Sequence, residues 1–254
     1  MSEEHASGGH SPLAQFEIAP LQSLPPLHIA GHDVSFTNSA LWMVLAIIAV
    51  IAFLLPASRK VTIVPNRLQS AGEMLVEFVG NTIFEATGKE GMKYFPMVFS
   101  LFVFVLSCNL LGMIPGSFTV TSHIIVTFAL AAFIFVSVTL IAICKHGFGK
   151  FLHFFLPEGT PLVMAPLLFL IEFFSYLSRP VSLSIRLAAN MMAGHVTMKV
   201  IAGLILTFGV AVGMVSMFPL LLFLTGFEIA IAIIQAYIFT ILACVYLNDA
   251  LHLH

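Results

Sequence analysis

Ser178-Arg-Pro-Val-Ser-Leu-Ser-Ile-Arg-Leu-Ala-Ala-Asn-Met-Met-Ala-Gly-His195 lies deep in a hydrophobic half of the chain, yet carries Arg179, Arg186, Asn190 and His195. A guanidinium keeps its charge at any ordinary pH. Placing one at membrane depth costs about 3 kcal/mol or more, so the default reading is a functional site facing protein or water. Leu, Ile or Val would serve better as lipid-facing wall. The rest of the sequence has to account for these side chains.

Composition sets the class. Hydrophobic residues make up 59% of the 254 positions, charged residues 9%, and mean hydropathy is +1.06. A soluble domain is about a quarter charged, so this is a membrane chain long enough for several spans. A net charge of −2 offers no basic surface for nucleic acid. There are 25 phenylalanines against 4 tyrosines and 1 tryptophan, which suits lipid and packed membrane interiors. Cys108, Cys144 and Cys244 stand singly in or at the ends of apolar runs, with no CxxC pairing, and read as small hydrophobes.

The fold class expected is an all-α integral membrane protein. Residues 1–38 are polar and rich in His, Pro and Gly, with no basic stretch leading into an apolar core, and read as a flexible tail rather than a signal peptide. Residues 39–254 form one membrane domain. Its first span is 39–56, stopped by Pro56, with Arg59, Lys60 and Arg67 following it. That positive cluster places its C-terminal side in the cytoplasm and the tail outside. In 66–93, Leu68, Met74, Leu75, Phe78, Ile83 and Phe84 alternate with Glu73, Glu77, Glu85, Lys89 and Glu90 at helical spacing. This reads as an amphipathic surface helix connecting and packing on its neighbours. Spans follow at 94–114, where Asn109 suits a helix-to-helix hydrogen bond, and at 123–144. Lys145, His146 and Lys150 then mark a second cytoplasmic end, and 148–157 is a short aromatic connector.

After Pro161 simple counting fails. A single helix from Val200 to Leu247 would be about 70 Å long against about 30 Å of hydrocarbon. Gly203, Gly209, Gly213 and Pro219 mark where a break could fall. The expectation is a hairpin of two long tilted helices, 161–202 and 205–249, with the C-terminus cytoplasmic. At 100° per residue, Arg186 and Asn190 share one face and His195 lies close to the opposite one. Glu172 is near the bearing of Arg186 but about 21 Å along the axis. On the second arm Glu228, Gln235 and Tyr246 share a face. Packed as a hairpin, Gln235 lies beside the Arg186 region and Glu228 approaches His195. Such a Glu–His pair serves either as a proton relay or as a satisfied pair clasping the hairpin. Arg186 has no acid within a turn, so its anion partner is distant in sequence or on another chain. Arg179, next to Pro180 and a probable break, reads as snorkelling to an interface.

The run Arg179 to His195 resembles the signature of subunit a of the F-type ATP synthase, above all in Arg-Leu-x-x-Asn-Met-x-x-Gly. Phe227-Glu-Ile-Ala-Ile-Ala-Ile-Ile-Gln-Ala-Tyr-Ile-Phe239, the ending Tyr246-Leu-Asn-Asp249 and Asn109-Leu-Leu-Gly-Met-Ile-Pro115 are similar to further blocks of that family. The likeness covers most of the chain after Asn66. It implies a stator subunit, not itself an enzyme, lying against a ring of proteolipid c subunits and joined to peripheral-stalk b-type subunits and the rest of the synthase. Arg186 would face the ring carboxylate. Asn190, His195, Glu228 and Gln235 match the outer half-channel and Glu172 the cytoplasmic exit; Tyr246, Asp249 and Ser182 are further candidates. In some relatives the His195 position is acidic and the Glu228 position is histidine; here the two are exchanged. The resemblance implies protons as the translocated ion, no cofactor or metal, and a bacterial inner membrane.

Two other classes compete. A secondary transporter or channel would carry a midplane polar site and internal repeats, but no repeat relates the two halves. A membrane haem protein would use the histidines, but four of the ten lie in the tail and His195 has no evident axial partner.

Overall fold

The computed structural model describes residues 28–29, 32–33, 37–59, 62, 64–114, 117–153, 164–207, 215 and 217–252. Among the described residues the α-helices are, in order, α1 Asn38–Arg59, α2 Arg67–Gly91, α3 Phe95–Gly112, α4 Ile124–His146, α5 Phe148–His153, α6 Ala165–Thr207 and α7 Phe218–Leu251. Short 3₁₀ turns, Met92–Tyr94 and Val120–Ser122, precede α3 and α4. Ahead of α1, His28–Ile29 pairs antiparallel with His32–Asp33. Five helical stretches are long and apolar enough to cross a membrane, the second of them being α2 and α3 taken together. The protein is an all-α multi-pass membrane protein.

Local chemistry explains most boundaries. The Asn66 side chain accepts from Arg67 N at 2.8 Å and caps α2. Near its other end α2 is kinked at Gly88, whose φ of 66° lies in the left-handed region open to glycine. Pro219 stands in the first turn of α7, where its missing N–H goes unused.

Three expected boundaries change. The first span runs through Pro56 to Arg59, because a proline in the last turn removes a single ladder bond. The 161–202 arm extends to Thr207, because a glycine such as Gly203 inside a helix costs only about 1 kcal/mol. The second arm therefore starts at Phe218 rather than 205, and Ile205 belongs to α6. Residues 154–163, 208–214, 216 and the expected tail outside its two short strands lie outside the described residues.

The core is organised around α7, which packs against α2, α3, α4 and α6. Its inward stripe, Ala232, Ala236, Ala243 and Cys244 with Phe239 and Leu247, is rich in small residues, and these let neighbouring helices approach closely. Ala131, Ile134, Val138 and Ala142 form the matching face of α4. α2 meets its neighbours in turn, with Gly72 against Ala57 of α1, the Phe78 ring against Phe102 of α3 and Tyr237 of α7, and Glu90 against Lys145 at the end of α4. On α6 the buried residues Leu183, Leu187, Met191 and His195 step by four, one face of a helix. That stripe turns Ser182, Arg186 and Asn190 outward.

Candidate functional site

The site lies where α6 crosses α7. Asn190 Nδ2 donates to Gln235 Oε1 at 2.9 Å, joining the two arms. One step further in, Asn109 of α3 donates through Nδ2 to the carbonyl of Ala232 at 3.1 Å. The second polar atom of each amide is unsatisfied, since Gln235 Nε2 and Asn109 Oδ1 are buried without a hydrogen-bond partner. Glu228 is 5% exposed, and neither of its carboxyl oxygens has a hydrogen-bond partner among the described residues. A buried acid in that condition is costly unless water or a moving proton serves it. The space for water is there. A cavity of about 390 Å³ between the arms is lined by Asn190, Gly194, Glu228, Ile231, Ile234 and Gln235, among others.

Gly194 is what admits the carboxylate. A Cβ at that position would overlap the Glu228 carboxyl group, so the acid occupies the space a side chain would take. His195, one residue on, points elsewhere. It is 7% exposed, and its Nε2 lies 3.0 Å from Oγ1 of Thr119, in the connection between α3 and α4. Glu228 and His195 therefore share no hydrogen bond, and of the two expected readings the mutually satisfied pair clasping the hairpin is corrected. A helix places consecutive residues 100° apart, so the glycine faces the acid and the histidine faces the loop.

Arg186 is exposed on the outer face of α6 and makes no hydrogen bond or ion pair among the described residues. It lies on the same helix face as Asn190, one turn away. Ser182 is exposed one turn before it. Val181 and Ile185 on α6 and Ile233 and Ile234 on α7 are exposed apolar side chains of the same two helices. Glu172 is exposed further toward the start of α6. Among the described residues no group of three His, Cys, Asp or Glu side chains could hold a metal ion.

Buried polar groups left incomplete beside a cavity between apolar helices, with a cation one turn along α6 that is unpaired among the described residues, point to ion passage. The family described as ATP synthase A chain matches residues 40–248. The chain belongs to this family. Two curated relatives, both named ATP synthase subunit a and both from Rhodospirillum rubrum, are 55% identical to it over 245 residues. The match covers 96% of this chain and 100% of each relative. As an ATP synthase A chain it is a membrane subunit serving proton transport and ATP synthesis, without catalysing a reaction alone.

The opposite end of the hairpin in this ATP synthase A chain is built differently. Arg179, expected to snorkel beside a break, is paired within the hairpin. Its Nη1 donates to Asp249 Oδ2 at 2.7 Å, and its guanidinium lies 5.3 Å from the Tyr176 ring centre and 5.1 Å from that of Tyr246. α6 continues unbroken through Pro180, so the expected break is corrected. Nearby, Lys145 Nζ pairs with Glu90 and donates to the Leu251 carbonyl at 3.1 Å. His146 Nε2 also lies 3.2 Å from that carbonyl. These two side chains of α4 meet at one carbonyl, that of Leu251, which the end of α7 leaves open.

Sequence reasoning missed Thr119, Gly194, the Arg179–Asp249 pair and the Lys145 cap. For Gly194 a signal existed, a glycine beside the one intramembrane acid of the facing arm. For Thr119 there was none, since a hydroxyl 76 residues from its partner has no periodicity to betray it.

Proposed function

We propose that this chain is the stator of the rotary ATP synthase, holding two half-channels and presenting Arg186 to a carboxylate on each subunit of a proteolipid ring. The observation that carries the reading is Arg186 itself, a permanent cation turned out of the hairpin with no acid beside it among the described residues, one turn from the Asn190–Gln235 bond. Exposed apolar side chains on the same helices, Val181 and Ile185 on α6 and Ile233 and Ile234 on α7, suit an apolar ring surface. At about 4 Å and an effective dielectric near 20, such a cation stabilises a facing carboxylate by about 4 kcal/mol. That is enough to strip the proton from an arriving acid and to block direct leakage past it.

In this reading Glu228, Gln235, Asn190 and His195 carry protons from one side of the membrane to the ring, and Glu172 receives them on the way to the other. Each ring acid crosses lipid only when neutral, since the charged form is costly there, and this makes proton flow turn the ring. Arg59 and Lys145 at the ends of α1 and α4 support a cytoplasmic location for those ends, with Asp249 on the same side. The membrane is the bacterial inner membrane, the translocated ion is H⁺, and no cofactor takes part. Peripheral-stalk subunits of b type complete the stator.

Purification of the tagged chain in gentle detergent tests the assignment. A ring of small proteolipid subunits and the ATPase subunits are expected to copurify. Recovery of the chain without either would overturn it.

A further inference from the structure

We infer that Thr119 is a positioning residue for His195, so that the connection between α3 and α4 takes part in proton transfer. The inference rests on the reading of His195 as a member of the proton path. Thr119 is 3% exposed, and its Oγ1 lies 3.0 Å from His195 Nε2 and 3.4 Å from the carbonyl oxygen of Gly112. A hydroxyl has one proton to give and two lone pairs to offer. When His195 carries a proton on Nε2, Thr119 accepts it as a hydrogen bond and turns its own O–H toward Gly112. When Nε2 is bare, the same O–H turns back and donates to the ring. Both states of the imidazole are thereby held in one orientation, and the other ring nitrogen keeps a fixed aim.

The fold takes care to put the hydroxyl there. Gly112 closes α3 without a side chain, and a Cβ added to it would stand 2.9 Å from Thr119 Cγ2. The 3₁₀ turn Val120–Ser122 packs on α6, and the rings of Phe118 and His123 stack at 4.9 Å on either side of it. Thr121 Oγ1 and His123 Nε2 are buried on the same loop without a hydrogen-bond partner, so polar atoms continue from Thr119 along it. Buried polar atoms of this kind are where ordered water is held.

The test uses membrane vesicles bearing the whole ATP synthase, with passive proton flow measured across pH after removal of the ATPase sector. Flow is normalised to the ATP hydrolysis bound to the membrane beforehand. Thr119→Val is expected to cut flow about tenfold and to move the pH profile, whereas Thr119→Ser keeps both flow and profile close to the parent. Gly112→Ala, which displaces the threonine while leaving hydroxyl and imidazole chemically intact, should reproduce Thr119→Val and stands in for it if that variant does not assemble. His195→Ala should be at least as impaired, and adding Thr119→Val to it should change nothing more. Parent-like flow and profile in Thr119→Val and Gly112→Ala, with His195→Ala impaired, overturns the positioning role alone. Parent-like flow in His195→Ala as well overturns the path reading on which it rests.

Discussion

The two ends of the α6–α7 hairpin use the same kinds of side chain to opposite effect. At the Asp249 end the charges are matched: Arg179 with Asp249 between two tyrosine rings, and Lys145 with Glu90 and the Leu251 carbonyl. At the Glu228 end polar groups are buried and left incomplete: both Glu228 oxygens, Gln235 Nε2 and Asn109 Oδ1. Matched charges hold helices together. Incomplete groups destabilise by about 1–3 kcal/mol each if left dry, so their retention beside a cavity marks the place where water and protons are served. The difference separates a clasp of paired Arg, Asp, Lys and Glu from a path of Glu, Gln and Asn.

That contrast can be broken at three points. The largest effect is expected at Gly194. Gly194→Ala places a methyl group where the Glu228 carboxyl now sits, and proton flow through the assembled synthase should fall about a hundredfold, as for other misplacements of a reacting group by about 1 Å. Parent-like flow would show that the carboxyl position is immaterial. Next comes Glu228→Gln, nearly the same shape without the charge. Flow should drop more than about tenfold, while the purified complex melts no lower than the parent, because the carboxylate has no partner to lose. A clear fall in melting temperature would show that Glu228 belongs to a clasp after all. The smallest effect concerns the other end. Arg179→Ala should destabilise by about 1 kcal/mol, discounted for the partial exposure of the pair. Much of that should return in the double variant with Asp249→Ala, since removing one partner strands the other. Additive losses in thermal denaturation would argue against pairing.

Much of the fold is legible in the chain because membrane helices advertise themselves. The apolar runs of α1, α3 and α4, the charged periodicity of α2 and the excessive length of the last stretch need only the bilayer thickness and the rise of a helix to read. The opposite bearings of Arg186 and His195 follow from 100° per residue alone. The hairpin break was less legible. Gly203 looked like a stop, but one glycine is a weak penalty, and Pro219 marks a helix start rather than an end. At the site, the Asn190–Gln235 bond joins two stripes whose spacing was visible on each arm. Partners fixed by tertiary packing were not visible. Asp249 lies 70 residues from Arg179, and Thr119 lies on an irregular loop. The reading of Glu228 and His195 as a mutually satisfied pair fails for a related reason, because the histidine bonds to Thr119 on a loop that helical spacing does not reveal.

The central claim is that Arg186 is held for a partner outside the chain, unlike Arg179, whose partner is within it. ATP-driven proton pumping in vesicles, measured for Arg186→Ala beside the thermal stability of the same purified complex, tests it most directly. The account predicts abolished pumping, undiminished ATP hydrolysis by the detached ATPase sector, and stability equal to the parent. Retained pumping, or a loss of stability like that expected for Arg179→Ala, would contradict it.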